Sequence, residues 1–554
     1  ADTFTLDLSL GTLPGLVTVN GNLPTTQPGD SMRVIGAYDD ITYGPNGVGS
    51  GTIDADGTQV AFTGLEPLDL SGASILNLTV VVDPTSAFAG DVITTVAAVD
   101  AGVNTEITFA DAAGVPNGLE STKIGALTGT LTIQGDNVDN DFFSLLGLGS
   151  AMAGHVSVDG RGGNADVIQV FNATFAVTGT NKNLSLKADF IGVTQTQSAD
   201  TTPDDPGIVR ATGNITLEAD GDDTVAAPLL WGAGGVWGAA LPAHYNATTL
   251  ATRGNLLLMG HIEKTAGSDA TLTLRANRHV AVVLAGASGN TAGRIISTTN
   301  KLHTIINSDR DALNAGAVSI TTFAQVLTNG GDITIGGGAD PAATGAAGLS
   351  GLATGVAIQG ATVDSSGGNI SIRGTGAALA NGVGVVINST SLKNSVLISS
   401  GAGNIGITGT GGNGTNGHAI RVAGDTSVPT PGFATIQSTT GTITLSGTSV
   451  IASGFGVTSS SNTSITSTGG AAVSITGISP GTQAIILAPV SPGTLSINST
   501  NGQVTLSADT MNLNANTGTE SITAGTGIVT LKPTTAGKNI ALGSGVTDSA
   551  TLLA

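Results

Sequence analysis

The chain has 554 residues, of which 18 are basic and 39 acidic, so its formal net charge is −21 and its pI is about 4.3. This balance argues against nucleic acid as a partner and disfavours anionic membrane surfaces, because phosphate binding needs a basic surface. There is no cysteine, which excludes disulfides and thiolate chemistry. Aromatic residues make up only 3% of the chain, whereas 83 of the 554 residues are glycine. We therefore expect a core of small and β-branched side chains, with no membrane-inserted helix.

Residues 1–124 contain longer and more charged strands than the rest of the chain. Turn signals such as Asp56-Gly57 and Pro116-Asn117-Gly118 separate these strands. We expect irregular first coils of a repeat fold, because the regular hairpin turns of a β-sandwich are missing; a separate β-sandwich is the alternative. The chain opens at Ala1-Asp2-Thr3 without a basic and apolar leader, which suits an exported protein whose signal peptide has been removed.

Residues 125–320 continue the β pattern, with acidic turns and one insertion. The phrases 129–143 and 155–170 both consist of a strand, an acidic Gly/Asn turn and a second strand. The insertion, 225–246, holds Trp231 and Trp237 in a Gly-rich apolar loop that a thin coil could hardly bury. Two interpretations stay open: a loop folded back over the protein, or a contact patch for a neighbouring copy.

Acidic turns in this segment are candidates for calcium, which takes hard oxygen ligands at short spacing. The ordinary alternative is a set of solvated turns. The phrase from Arg161 to Ile168 lacks glycine at two places of the calcium-binding nonapeptide, which weakens the calcium interpretation. No other cofactor is expected. The candidate ligands are Asp136, Asp139, Asp141, Asp220, Asp222 and Asp223.

Residues 321–554 hold the clearest signal, a phrase of three short strands that returns every 30 to 38 residues. The first complete phrase comprises 355–359, 361–365 and 367–372, and the next comprises 382–387, 395–399 and 403–407. One position marks each return: Asp332, Asn369, Asn404, Thr442, Ala472 and Gln503. Apolar and small polar residues alternate within each strand, and Gly, Asn and Ser stand between strands where the chain must turn. A near-constant period of short strands predicts a parallel β-helix with three strands per coil.

Residues with catalytic chemistry are scarce in this last segment. From Thr426 to Ala508, which we call the uncharged span, there is no Asp, Glu, Lys, Arg or His. General acid–base catalysis therefore lacks its usual side chains there. The six histidines have no His-x-His or His-x-x-x-His partner, so we expect surface or turn residues instead of zinc or iron ligands. They are His155, His244, His261, His279, His303 and His418.

Several phrases resemble the repeats of large bacterial surface proteins of the filamentous-haemagglutinin-like or adhesin type. They are 51–67 near the start, the two phrases at 129–143 and 155–170, and 527–543 near the end. The resemblance extends over most of the chain. It consists of short phrases and of a similar general pattern of residues. It implies a right-handed β-helix and a role as an extracellular fibre, adhesin or cell-surface coat.

The sequence therefore predicts a structural extracellular or cell-surface protein, not an enzyme. We expect a β-helical rod that assembles with copies of itself into a fibre or surface layer, with cell-surface glycans as a further partner. The apolar phrase 549–554 suggests an uncapped strand edge, which must be covered or meet another copy. Two alternatives remain. One is a polysaccharide lyase or glycosidase on the same fold, which would need two carboxylates, or a carboxylate with Lys or Arg, on one face of adjacent coils of residues 1–320, together with aromatic residues that stack on sugar rings. The other is a monomeric host-binding adhesin.

Overall fold

The computed structural model is all β, with strands and turns but no helix among the residues that it describes. By contacts between residues the chain divides into two compact units, 1–270 and 271–554, and this boundary lies inside the predicted 125–320 segment. No described segment is a helix with the length and hydropathy of a membrane span. The described residues are 2–8, 11, 13–21, 30–47, 49–82, 92–111, 119–136, 140–162, 166–194, 206–221, 230–231, 237–239, 253–283, 292–313, 315–321, 323–390, 395–425, 432–481, 483–489, 493–513, 518–541 and 551–553.

Short strands, most of four to eight residues, make up the first unit. Its described strands are β1 (Thr3–Asp7), β2 (Val17–Asn20), β3 (Asp30–Gly47), β4 (Ser50–Ala55), β5 (Thr58–Thr63), β6 (Leu65–Val81), β7 (Val92–Val99), β8 (Asn104–Asp111), β9 (Thr122–Gln134), β10 (Asp141–Leu145), β11 (His155–Asp159), β12 (Val167–Phe171), β13 (Thr174–Val177), β14 (Leu184–Ala188), β15 (Phe190–Thr194), β16 (Ile208–Ala211), β17 (Ile215–Ala219), β18 (Leu230–Trp231), β19 (Trp237–Ala239), β20 (Leu256–Leu258) and β21 (His261–Lys264).

The second unit contains shorter and more even strands. They are β22 (Ala270–Ala276), which begins at the boundary, β23 (Val280–Val282), β24 (Arg294–Ser297), β25 (Leu302–Ser308), β26 (Val318–Thr321), β27 (Gln325–Leu327), β28 (Ile333–Gly337), β29 (Ala346–Ala347), β30 (Val356–Gln359), β31 (Thr362–Asp364), β32 (Ile370–Thr375), β33 (Val385–Asn388), β34 (Ser395–Ser399), β35 (Ile405–Thr410), β36 (Ile420–Ala423), β37 (Phe433–Ser438), β38 (Ile443–Thr448), β39 (Val457–Ser459), β40 (Thr463–Ser467), β41 (Val473–Ile478), β42 (Ile485–Leu487), β43 (Thr494–Ser499), β44 (Val504–Ser507), β45 (Met511–Asn512), β46 (Thr519–Thr523), β47 (Val529–Lys532), β48 (Asn539–Ala541) and β49 (Thr551–Leu553).

Strands of the second unit pair in parallel with their equivalents one coil away, in three stacks. The first stack is β25, β28, β32, β35, β38, β41, β44 and β47; the second is β23, β26, β30, β33, β36, β39, β42 and β45; the third is β24, β27, β31, β34, β37, β40, β43 and β46. The six marker residues of the repeat each precede a strand of the first stack by one residue. The prediction of a parallel β-helix with three strands per coil is confirmed, and no barrel closes.

Inward side chains of successive coils lie in register, because parallel strands stack about 4.8 Å apart. In the first stack Ile333, Ile370, Ile405 and Ile443 follow one another as direct partners, and all four are buried. Full burial of such a side chain contributes about 1.5–3 kcal/mol. The repeat thus produces a continuous aliphatic core, and the backbone groups of each coil are satisfied by its neighbours.

The first unit has the same three stacks in its later part and hairpins near its start. Parallel stacks run through β9, β11, β14 and β17, through β10, β12, β15 and β20, and through β13, β16 and β21. Strands β3, β6 and β9 also pair in parallel, while β3–β4, β4–β5 and β7–β8 are antiparallel. Asp56 and Gly57, both with positive φ, form the turn of the β4–β5 hairpin. We did not expect this hairpin in residues 1–124, although Asp-Gly is the usual sequence signal of such a turn.

Candidate functional site

The candidate contact patch around the two tryptophans is only partly described. Strands β18 and β19 form an antiparallel ribbon in which the backbones of Trp231 and Trp237 are partners. Their side chains and most of the insertion at 225–246 lie outside the described residues. Both interpretations of the insertion stay predictions.

The acidic turns contribute hydrogen-bond acceptors in the part that the structure describes. The Asp136 amide donates to Asp141 Oδ2 at 2.8 Å, and the Asp220 carboxylate pairs with Lys187 Nζ at 3.0 Å. Asp139, Asp222 and Asp223 lie outside the described residues. Among the residues that are described, no three or more His, Cys, Asp or Glu side chains are grouped to hold a metal ion. Calcium therefore stays a prediction for this chain.

Buried carboxylates form a ladder at the corner before the second stack of the first unit. The Asp141 amide donates to Asp166 Oδ1 at 3.0 Å, and the Asp166 amide donates to Asp189 Oδ2 at 3.1 Å. The side chains of Asp141 and Asp166 are buried. Each carboxylate thus accepts the amide of the preceding coil, and such charge-assisted bonds are stronger than neutral ones. These aspartates hold neighbouring coils together.

A ladder of polar side chains also stands before the first stack of the second unit, at the marker positions of the repeat. The Asn369 amide donates to Asp332 Oδ1 at 2.7 Å, the Asn404 amide to Asn369 Oδ1 at 3.0 Å, and the Thr442 amide to Asn404 Oδ1 at 2.8 Å. Each side chain accepts the backbone amide of the equivalent residue in the next coil. The marker residues therefore have a structural role that the sequence pattern alone could not reveal.

Four of the described histidines take part in the same kind of bond. The Nδ1 atoms of His155, His279, His303 and His418 accept the backbone amides of Asn183, Ala317, Asp332 and Phe455 at 3.0–3.2 Å. These amides belong to residues 28 to 38 positions further along the chain, one coil away. An Nδ1 atom that accepts a hydrogen bond cannot bind a proton at the same time. The four imidazoles cap the corners between neighbouring coils.

His279 lies in the turn between β22 and β23, which agrees with the expectation of surface or turn residues, but it is not at the surface. Its side chain is only 1% exposed. Burial and the nearby Arg278 guanidinium lower the pKa of His279 to about 3. The missed signal is the position of His279, which directly precedes a run of apolar residues in β23.

A cluster that combines a carboxylate, an imidazole and a guanidinium lies on the outer face of the first unit. Arg210 Nε and Nη2 approach Glu263 Oε2 at 2.8 and 2.5 Å, and His261 Nδ1 lies 3.2 Å from Glu263 Oε1. The hydrogen bond from His261 and the bonds from Arg210 lower the pKa of Glu263 to about 2, although burial acts in the opposite direction. A carboxylate with both oxygens occupied and a low pKa is a poor general acid or base.

This cluster was missed by sequence reasoning, because Arg210 and Glu263 are 53 residues apart. A weak signal was available. Both residues stand three positions after a glycine, Gly207 and Gly260, that opens a strand phrase, and β16 and β21 pair in that register. Aligning the two phrases would have placed the two charges side by side.

Among the described residues two carboxyl groups have raised pKa values, one in each unit. Burial, together with the charge of Glu66, raises the pKa of Glu120 to about 8. Burial raises the pKa of Glu520 to about 7. Glu520 lies in β46 in register with the buried Leu495, so it takes an inward position of the coil. Its Oε1 atom is buried and has no hydrogen-bond partner in the described part of the chain.

The fold defines the chain as a parallel β-helical repeat protein. Beyond that class, no family model matches the chain, and neither curated proteins nor solved structures give a significant match.

Proposed function

We propose that this chain is a structural protein of the cell exterior, which assembles with copies of itself into a fibre or surface layer. The observation that carries the proposal is the outer face of the uncharged span. Between Thr426 and Ala508 no ionisable side chain interrupts the coils, and the outward positions are mostly Ser, Thr, Gln and Asn. A surface without charge lacks the usual means of staying monomeric, so lateral association of coils has little electrostatic cost.

Strand edges give a second route to association. Strands β46 and β47 pair on one side with β43 and β44, and no partner lies on their other side among the described residues. Unpaired rows of amides and carbonyls are a template for a further strand. The inward Glu520 opposes this when it is ionised, because pairing would bury its charge. Edge addition is therefore favoured where Glu520 is neutral, below about pH 7.

The lateral route is tested by adding charge to the outer face of the uncharged span. We expect Gln437→Glu combined with Thr444→Glu to shift the full chain toward monomer, because both side chains are exposed and neighbouring copies would then repel each other. Light scattering over a range of concentrations and electron microscopy measure the effect. Gln59→Glu, an equally exposed outward position of β5, is the matched control and should leave association unchanged.

The edge route is tested through Glu520. Association should be stronger at pH 6 than at pH 8.5, as expected for a carboxyl group whose pKa is about 7. Glu520→Gln should remove most of that difference. A full chain that stays monomeric at both pH values, with neither filaments nor sheets, contradicts self-assembly altogether.

The alternative enzyme function has one specific candidate, the Arg210–Glu263–His261 cluster. Release of reducing or unsaturated sugars from polysaccharides, lost in Glu263→Gln, would favour a lyase or glycosidase over a structural protein. We expect no such release, because the low pKa of Glu263 suits an ion pair better than proton transfer.

A further inference from the structure

A polar groove lies at one corner of the second unit, where strands of the second stack end. Asn388 ends β33 and Ser389 follows it, Arg421 and Asp425 belong to β36 and the residues just after it, and Ser460 follows β39. These three chain segments are in adjacent coils, since β33, β36 and β39 pair in sequence. The groove has a volume of about 440 Å³, within the range of small-molecule sites.

Two polar atoms of residues that line this groove are buried and have no partner among the described residues. Ser389 is 5% exposed, and its Oγ atom makes no hydrogen bond there. Asn388 Nδ2 donates to the Ser389 carbonyl oxygen at 3.1 Å, whereas Asn388 Oδ1 is buried and accepts no bond from the described part of the chain. A buried polar atom without a partner is destabilising, so native proteins usually satisfy it with water or a ligand.

Arg421 adds unused donors to the same groove. Its side chain points outward from β36 and is exposed, with Val386 and Thr458 as its strand neighbours. It makes neither a hydrogen bond nor an ion pair within the described part of the chain. A guanidinium offers five N–H donors and no acceptor. The groove lining therefore combines exposed donors from Arg421 with a buried acceptor, Asn388 Oδ1, and a buried hydroxyl, Ser389 Oγ, which reach a ligand when these two side chains turn toward the groove.

We propose that this groove binds a neutral sugar through adjacent hydroxyl groups. Each sugar hydroxyl both donates and accepts, so one neighbouring pair can accept from Arg421 and donate to Asn388 Oδ1. A simple anion would suit Arg421 alone. Its binding would be disfavoured by Asn388 Oδ1, by the carboxylate of Asp425 and by the net charge of −21. The inference rests on the proposed function, because glycans are available at the cell exterior. The recognition of a sugar is argued from the groove residues alone.

The test is a titration of the full chain with maltose, cellobiose and lactose, and with sulfate as an anionic probe, followed by calorimetry or ligand-observed NMR. We expect at least one disaccharide to bind with a millimolar Kd, and sulfate to bind more weakly. Arg421→Ala and Ser389→Ala should each weaken sugar binding about 10-fold, equivalent to about 1.4 kcal/mol. Arg373→Ala, which removes an outward arginine of β32 that does not line the groove, is the matched control and should bind as the unchanged chain does.

Three results would overturn the inference: no sugar binding at high millimolar concentration, sugar binding that neither variant weakens, or sulfate binding tighter than every sugar. If Arg421→Ala unfolds, Arg421→Gln keeps two donors and allows the same comparison. Binding is measured at concentrations where light scattering finds monomer. A failure of sugar binding is thus separate from a failure of self-assembly, which microscopy reports.

Discussion

The two units build the same three-strand coil from different side chains. The first unit buries aromatic residues, among them Tyr43, Phe62, Phe143, Phe175 and Phe190, and stacks buried aspartates at a corner. The described buried core of the second unit is Ile, Val, Leu, Ala and Met, and its corners use Gly, Ser and Asn. The cores of both units are packed without large voids, so the larger aromatic side chains of the first unit replace several small aliphatic ones.

Close approach of corners makes glycine necessary at particular positions of the second unit. A Cβ atom on Gly403 would collide with the carbonyl oxygen of Gly368, and one on Gly441 would collide with that of Gly403. These glycines precede β35 and β38 by two residues, so the clash would recur in successive coils. The first unit has close-approach glycines too, such as Gly179 and Gly260, and adds hydrogen-bonded carboxylates at one corner.

The largest effect should come from filling one of these close approaches. We expect Gly403→Ala to lower the free energy of unfolding by about 4 kcal/mol, because a backbone oxygen cannot move away as a side chain can. Chemical denaturation of the full chain, followed by circular dichroism, measures the shift of the midpoint.

Gly406→Ala in the same strand is the control for this change. A Cβ atom there meets nothing closer than 4.0 Å, the Ile370 carbonyl oxygen, so the substitution should be neutral or slightly stabilising. If Gly403→Ala and Gly406→Ala lowered the free energy of unfolding equally, these glycines would be needed for backbone flexibility and not for the close approach of coils.

The corresponding change in the first unit removes a buried corner carboxylate. Asp166→Ala should cost about 3 kcal/mol, because the Asp141 amide then loses its acceptor inside the protein. Asp166→Asn keeps an oxygen acceptor and should lose less than half as much. If the alanine variant is as stable as the unchanged chain, the aspartate ladder does not hold the coils together.

Acid should weaken the second unit through His279. The pKa of His279 is about 3 in the folded chain against 6.5 as its ordinary value, so the unfolded chain takes up the proton first as the pH falls. The stability contributed by neutral His279 is complete above pH 6.5 and is lost as the pH falls toward 3. Between pH 7 and pH 5 we expect a loss of about 2 kcal/mol that His279→Asn, which does not titrate, greatly reduces. Denaturant midpoints at the two pH values measure it.

The first unit supplies the opposite pH dependence for comparison. The pKa of Glu120 is about 8 in the folded chain against 4.5 as its ordinary value, so the unfolded chain loses the proton first as the pH rises. The stability from neutral Glu120 is complete below pH 4.5 and is lost as the pH rises through 8. Glu120→Gln should therefore reduce the loss of stability that accompanies a rise in pH. The loss of stability at acid pH should not change. If Glu120→Gln changed the stability at acid pH and left the stability at alkaline pH unaltered, the assignment of the alkaline effect to Glu120 would be wrong.

The smallest effect should come from a single corner hydroxyl of the second unit. Ser365 Oγ is buried and donates to the Gly368 carbonyl oxygen at 2.5 Å. Buried hydroxyls recur at this corner in Thr328, Ser400, Ser438 and Ser499. Ser365→Ala should cost about 1 kcal/mol, the usual net contribution of a neutral hydrogen bond. Thr444→Ala, an exposed position with no such bond, is the control and should change the unfolding midpoint by less than half as much.

Much of the fold of the second unit follows from local sequence. The alternation in 370–375 and 405–410 predicts strands, and the constant spacing of Asn369 and Asn404 predicts that these strands stack. The first unit was less predictable, because the Asp56-Gly57 turn was not read as a hairpin. Sites were harder still: Arg210 and Glu263 meet only because β16 and β21 pair.

The amino-acid sequence by itself determined the period of the repeat, the three strands of each coil and the absence of ionisable groups from the uncharged span, because these are properties of residues close together along the chain. Only the tertiary structure decided which residues touch between coils: the carboxylate of Asp166 on the amide of Asp141, the imidazole of His279 on the amide of Ala317, and the unpartnered atoms of Asn388 and Ser389 beside Arg421. Such contacts join residues about 25 to 40 positions apart, and the lengths of the intervening corners set their register.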